Sequence, residues 1–302
     1  MKITKLVSLT IALFSGSIGA SVGQVNFQNM SQFVGIEHMH QSSTLMGGGV
    51  AIFDFNNDGL QDIYLTGGEA QDKLLKNLGS WQFQDVSISS GIATLASEGS
   101  FGVTTGDFDG DGFRDILVTG DNQFPSRVFR NVGNETFLEL VDALDDDAIW
   151  STSATLGDVN GDRVPDIYIG SYIRTPGLVF NEQNEVIGYD HICWPNLLFL
   201  NNGNLTFTES SAQYGVADEG CALAVAFTDF DFDNEIELFL ANDFGEWVAP
   251  STIFENNPSQ NEMLDAGAQL EMNLEMYGMG IAIGDYDRDG DLDYYQTNLG
   301  RN

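Results

Sequence analysis

Five times in 302 residues the chain sets a nine-residue, aspartate-rich turn between two short apolar runs, and few folds can accommodate that arrangement. Aligned on the first acidic residue, the turns read DFNNDGLQD from Asp54, DFDGDGFRD from Asp107, DVNGDRVPD from Asp158, DFDFDNEIE from Asp229 and DYDRDGDLD from Asp285. Their spacings are 53, 51, 71 and 56 residues. A Gly-rich apolar run precedes each turn (MGGGVAIFD, SFGVTTGD, STSATLGD, GCALAVAFTD, YGMGIAIGD), and a β-branched and aromatic run follows it (DIYLTG, DILVTG, DIYIGS, IELFLA, LDYYQT). Short apolar or alternating segments on both sides of a turn predict a strand, a loop and a second strand.

In the first three units a third element follows: LLKNLGSWQFQDVS, VFRNVGNETFLELV and LLFLNNGNLTFTES. An Asn and Gly turn between two such runs predicts a β-hairpin. The unit is therefore about four strands in roughly 50 to 60 residues, a period that suits a propeller blade. The expected fold class is all-β, a β-propeller of four-stranded blades whose first loop is acidic. The longest spacing holds an insertion, roughly residues 174–195, that carries His191 and Cys193. Insertions in repeat folds map to loops on one face, often the binding face.

The residue pattern within each turn points to a hard cation. Oxygen donors recur at positions 1, 3, 5 and 9: Asp54, Asn56, Asp58 and Asp62; Asp107, Asp109, Asp111 and Asp115; Asp158, Asn160, Asp162 and Asp166; Asp229, Asp231, Asp233 and Glu237; Asp285, Asp287, Asp289 and Asp293. Position 7 can add its backbone carbonyl. An EF-hand starts the same way but needs a bidentate Glu at position 12 and flanking helices. Position 12 here is Leu65, Val118, Ile169, Leu240 or Gln296, within the exiting strand. Clustered carboxylates suit Ca²⁺, whereas Mg²⁺ keeps several waters and seldom takes an all-protein cage.

Two carboxylates about 4 Å apart repel by ~1 kcal/mol in water and ~4 kcal/mol at an effective dielectric near 20. A site with Kd around 10⁻⁴ M in millimolar calcium gains about 1.4 kcal/mol by linkage, so five would give ~7 kcal/mol. That is comparable with the net stability of a domain. The third turn has Arg163 and the fourth Asn234 where the others have Gly, so these two are expected to be the weakest sites.

Charge and composition narrow the partners. With 45 acidic and 11 basic side chains the formal charge is -34, which disfavours nucleic acid and anionic membrane surfaces. Hydrophobic residues at 42% are enough for a folded core. Residues 1–23, MKITKLVSLTIALFSGSIGASVG, place Lys2 and Lys5 before an apolar run and small residues, the layout of a secretory signal peptide. The run from Leu6 to Ile18 is too short to span a bilayer comfortably, and no later segment reads as transmembrane. The mature protein, residues 24–302, is expected to be secreted, periplasmic or on the cell surface, with no membrane insertion after signal cleavage.

In such a compartment Cys193 and Cys221 can pair, or remain two small buried residues. Asp85, Ser87 and Ser89 spell the DxSxS of adhesion metal sites but occupy an outer-strand position, where a structural role is the simpler reading. His38, His40 and His191 lack partners in sequence that would make them ligands or bases. Asn29, Asn134 and Asn204 head N-x-S/T triplets, which are glycosylation acceptors if the source is eukaryotic.

With the repeats aligned, the chain resembles the FG-GAP or VCBS repeat proteins, whose calcium-binding blades build the propeller of integrin α subunits. The residues that carry the resemblance are Phe101-Gly102 ahead of DFDGDG and the unit running through DIYLTG to LLFLNNGNLTF. No Gly-Ala-Pro triplet is present, so the integrin branch itself is not matched. FVGIEHMHQSSTLMGGGVAIFDFNNDG and GMGIAIGDYDRDGDLDYYQTN are similar to the cartilage acidic protein and ASPIC/UnbV family.

That family implies seven blades and a further C-terminal domain. Only four units and the first two strands of a fifth are present, about 4.5 blades, so a truncated propeller or an open one is expected. VNFQNMSQFVGI has the look of a strand that closes a last blade. The functional expectation is a calcium-binding extracellular scaffold, calcium being structural, that binds an unidentified protein or glycan and is not an enzyme. The alternative is a calcium-dependent hydrolase of phosphate esters or polysaccharides, since propellers host many chemistries.

Overall fold

A computed structural model describes residues 29–44, 46–92, 99–121, 123–146 and 149–300. The expected signal peptide, residues 1–23, lies outside the described residues. Of the segment expected to be a closing strand, residues 25–28 lie outside the described residues, and the described part forms one helical turn, α1 (Ser31–Val34). The amides of Phe33 and Val34 both donate to Met30 O, and Gly35 stops the turn in the left-handed region at φ 72°.

Each repeat folds as a meandering antiparallel sheet. The first is β1 (Val50–Phe53), β2 (Asp62–Leu65), β3 (Lys73–Asn77) and β4 (Phe83–Asp85), and the second is β5 (Val103–Gly106), β6 (Asp115–Val118), β7 (Arg127–Asn131) and β8 (Phe137–Leu140). In the third, β9 (Ser151–Gly157) and β10 (Asp166–Ser171) are followed by four inserted strands, β11 (Ile173–Thr175), β12 (Leu178–Phe180), β13 (Val186–Tyr189) and β14 (Ile192–Cys193). The sheet then resumes with β15 (Leu197–Asn201) and β16 (Phe207–Glu209), and a short helix α2 (Ser211–Tyr214) leads out.

The fourth sheet is β17 (Ala222–Thr228), β18 (Glu237–Asn242), β19 (Thr252–Asn257) and β20 (Glu262–Asp265), and the last described pair is β21 (Gly278–Gly284) and β22 (Asp293–Asn298). The hairpin legible in three units thus occurs in a fourth as well. Its turn, ENNPSQNE, has Pro258 in place of Gly and so hides the signal.

Alternation along the second strand builds the stack. Ile116 and Val118 of β6 enter the core shared with the first sheet, while Leu117 between them enters the core shared with the third. In the same way Ile167 and Ile169 face the second sheet and Tyr168 the fourth. Leu238 and Leu240 face the third sheet, and Phe239 packs towards the fifth, stacking on Tyr294 at 4.7 Å. A strand buried on both faces reads as a continuous apolar run, as DILV and DIYI do.

Among the described sheets, the first and the fifth each leave a face open to water. Val50 and Ile52 are exposed on one, and Tyr286 and Tyr295 on the other.

The first strands of successive sheets lie beside one another at the inner edge of the stack. They approach so closely that a Cβ on Gly49 would sit 2.7 Å from Phe101 O, and one on Gly102 would sit 2.6 Å from Thr152 O. At these two positions the neighbouring strand leaves room for glycine only. Serial four-stranded antiparallel sheets with the first strand innermost make this a β-propeller fold.

Candidate calcium loops and the opposite face

All five acidic turns adopt one backbone shape. Position 4 (Asn57, Gly110, Gly161, Phe232, Arg288) and position 6 (Gly59, Gly112, Arg163, Asn234, Gly290) have positive φ in every copy, from 59° to 100°. A non-glycine residue there costs roughly 1–2 kcal/mol. Arg163 and Asn234 meet that cost at φ 71° and 70°, so the Gly-to-Arg and Gly-to-Asn changes leave the loop shape intact.

Backbone amides organise the carboxylates. The position 6 amide donates to the position 1 carboxylate in each loop: Gly59 to Asp54 (2.7 Å), Gly112 to Asp107 (2.9 Å), Arg163 to Asp158 (2.7 Å), Asn234 to Asp229 (3.1 Å) and Gly290 to Asp285 (3.2 Å). Position 7 likewise donates to the position 5 carboxylate, from Leu60, Phe113, Val164, Glu235 and Asp291. These hydrogen bonds fix the orientation of the carboxylates within each loop.

The ninth residue roots each loop in the sheet. Asp62, Asp115 and Asp166 are fully buried, and each accepts the position 2 amide and the amide of an asparagine closing the third strand (Asn77, Asn131 or Asn201). Among the described residues, Glu237 and Asp293 accept the position 2 amide alone, from Phe230 and Tyr286. Burial pushes Asp115 up to about 6, and Asp166 and Glu237 up to about 7; the neighbouring loop carboxylates add to the rise and the backbone amides offset part of it. Asp62 is raised for the same reasons. A desolvated carboxylate facing like charges is what a divalent cation would stabilise.

Among the described residues, three loops bring three carboxylate oxygens within 4.8 Å of one another: Asp107, Asp109 and Asp115; Asp229, Asp231 and Glu237; Asp285, Asp287 and Asp289. What separates these loops from the other two is Asp at position 3. In the first and third loops Asn56 and Asn160 turn their Nδ2 to Asp58 and Asp162 and cross-link the turn. The fourth loop, ranked weak from Asn234, is thus among those that converge, and Asp229 Oδ1 is buried there with no hydrogen-bond partner. Hard oxygen donors with one orphaned carboxylate oxygen fit calcium.

Two features escaped the sequence reading. Arg130, on the third strand of the second sheet, lies 2.6 Å from Asp109 and 3.3 Å from Asp111, so an internal cation neutralises part of the second loop. The second is an asparagine clamp between sheets. Asn131 Nδ2 donates to Phe55 O (2.7 Å), Asn201 Nδ2 to Phe108 O (2.8 Å) and Asn256 Nδ2 to Val159 O (3.0 Å). Each accepting carbonyl is position 2 of an acidic loop in an earlier sheet. The signal was the repeated N-x-G in KNLG, RNVG and NNG, read only as turn chemistry.

The remaining candidates resolve into structure. Asp85 Oδ1 accepts the amide and hydroxyl of Ser87, a turn that ends the outer strand, and Asp85 pairs with Lys73 at 3.3 Å. Glu209 caps Ser211 in the same way at the end of the third sheet. His38 Nε2 and His40 Nδ1 both lie on Thr66 O, at 2.9 and 3.2 Å. Cys193 and Cys221 form a disulfide, tying the end of the insertion to the strand that starts the fourth sheet.

The strand ends opposite the acidic loops carry aromatic side chains. Trp150 meets Tyr172 at 5.4 Å, and Phe244 meets Tyr189, His191 and Tyr277 at 4.9, 4.4 and 5.8 Å. Tyr172 donates its hydroxyl to Asp243, and burial with that carboxylate pushes the phenol far above its usual range. Among the described residues no helix is long and apolar enough to cross a membrane.

The family model for FG-GAP-like repeats matches residues 54–118 and 107–169. The chain is similar to cartilage acidic protein 1 of Homo sapiens, 24% identical over 265 residues, covering 83% of this chain and 38% of the relative. The Mus musculus protein of that name is also 24% identical, covering 83% of this chain and 39% of the relative. The chain therefore spans well under half the length of the curated relatives it matches.

Among solved structures, one described as the basis of specific recognition of non-reducing terminal N-acetylglucosamine by an Agrocybe aegerita lectin matches at TM-score 0.42 and 17% identity, covering 81% of this chain and 59% of that one. So distant a match adds nothing to the assignment. The strand order and register make the fold a β-propeller, and residues 54–169 of it are similar to FG-GAP-like repeats.

Proposed function

We propose that the chain is an exported, calcium-stabilised propeller that serves as an extracellular binding or adhesion scaffold and not as a catalyst. The observation that carries this is the convergence of three carboxylate oxygens within 4.8 Å in three loops, each set on a turn of the same shape. Calcium there would be structural: it would cancel the repulsion within each turn and fix the corner between the first two strands of a sheet. Candidate ligands are the side chains at positions 1, 3, 5 and 9, with the loops at 107–115, 229–237 and 285–293 expected to bind most tightly.

Export is supported by the Cys193–Cys221 bond, which persists in oxidising compartments. The partner is proposed to be an extracellular protein or glycan. No specific observation favours the hydrolase alternative: Arg130, the cation beside the second loop, is committed to Asp109 and Asp111. The test is thermal unfolding with and without a calcium chelator, paired with calorimetric calcium titration. A melt that falls by many degrees in chelator and recovers on adding calcium supports the reading, and an unchanged melt defeats it.

A further inference from the structure

The insertion in the third sheet ends in a hairpin, β12–β13, that has no other strand beside it among the described residues. An isolated two-stranded hairpin is marginal in water. This one is held from several directions. The Trp247 ring packs on Gly188 so closely that a Cβ there would lie 2.4 Å from it, Tyr189 sits against Phe244 and His191, and the disulfide anchors the following strand.

Yet the hairpin so fixed leaves Leu178, Val179, Phe180, Val186 and Ile187 between 37% and 51% exposed. Five large apolar side chains held in water on a rigid pair of strands mark a contact surface. The edges of the pair are open as well, and an open strand edge templates a further strand.

Charge selects the occupant. The insertion carries Glu182, Glu185 and Asp190, all exposed, against Arg174, whose guanidinium lies over Trp194 at 4.6 Å. The whole chain stands at -34, so a second copy would be repelled, and carboxylates at the hairpin tip oppose insertion into a lipid surface. Resting on the scaffold reading above, we propose that β12–β13 docks an extended polypeptide segment of another protein, apolar on one face and rich in Lys or Arg. The segment adds as a strand and lies on the side of the propeller opposite the calcium loops.

The probe is a short fluorescent peptide alternating lysine and valine, with a lysine–serine peptide as control. Binding is read by anisotropy on the full chain in calcium at physiological ionic strength. The double variant Phe180→Ser/Ile187→Ser removes apolar surface without changing charge, and Glu182→Gln/Glu185→Gln removes charge without changing shape. Unaltered melting of both variants shows that the fold is kept.

The expected result is a loss of lysine–valine affinity of about tenfold or more in the serine variant and severalfold in the glutamine variant. The control peptide should bind weakly and equally to all. Equal binding of the lysine–valine peptide to wild type and the serine variant overturns the proposal. So does self-association of the wild type that the serine variant abolishes, which would make a second copy the occupant. The chelator melt is read separately, so a failed docking surface and a failed calcium scaffold give different results.

Discussion

Asn201→Ala is the most informative single change, because the side chain works between sheets. Asn201 is buried; its Nδ2 donates to Phe108 O at 2.8 Å and Pro165 O at 3.2 Å, and its Oδ1 accepts from Gly203 N at 3.0 Å. Truncation leaves the Phe108 carbonyl buried without this donor, at about 1–3 kcal/mol. Loss of the weaker bonds and a small cavity bring the expected cost to about 2–4 kcal/mol. At roughly 2–4 °C per kcal/mol for a domain of this size, Tm falls by about 4–16 °C.

The repeat supplies its own controls. Asn256 makes the equivalent donation, but Pro258 stands where the others have Gly and offers no amide, so its Oδ1 is already a buried orphan. Removing that orphan offsets part of the loss, and Asn256→Ala should cost only about 1 kcal/mol. Asn77 bonds Gln61 O within its own sheet at an exposed position, so Asn77→Ala should cost under about 1 kcal/mol. Urea melts of the variants in saturating calcium measure the order, and equal losses for Asn77→Ala and Asn201→Ala would refute the clamp. Asn201→Ala should also weaken calcium binding at the 107–115 loop, whose position 2 carbonyl it holds.

In chelator, stability should rise as pH falls from about 7.5 to about 5. Asp115, Asp166 and Glu237 are raised to about 6 to 7 in the folded state, so between the unfolded carboxylate range and those values the folded chain binds more protons than the unfolded one. With calcium present the trend should reverse, since protons then compete with the ion, and paired melts across pH check both signs. Arg130→Ala should lower the metal-free melt and enlarge the gain on adding calcium, because Asp109 and Asp111 lose their built-in cation. Replacing Cys193 and Cys221 with serine should cost roughly 3–4 kcal/mol through the 28-residue span they close, read as a drop in urea midpoint.

The repeat was legible because both strand flanks and the acidic turn recur in every unit. Periodicity alone placed the strands of the first three hairpins and the loops that separate them. It missed the fourth hairpin, whose turn carries Pro258 instead of Gly, and in the stretch 25–36 expected as a closing strand the described part includes a helical turn at Ser31–Val34. Position 6 proved compatible with residues other than glycine. Arg163 and Asn234 adopt positive φ there, and the loops in which three carboxylate oxygens meet all carry Asp at position 3.

By itself the sequence determined the repeat, the all-β class, the oxygen-rich chemistry of each turn and the presence of an insertion, because all of these are properties of residues near one another along the chain. Tertiary structure alone decided that Asn131, Asn201 and Asn256 reach into the loops of other sheets, that Arg130 faces Asp109, that Cys193 meets Cys221 and that Trp247 pins the hairpin at Gly188. Those contacts join residues far apart in sequence. Local propensity carries no record of them, since they exist only once neighbouring sheets have stacked and brought their strand ends together.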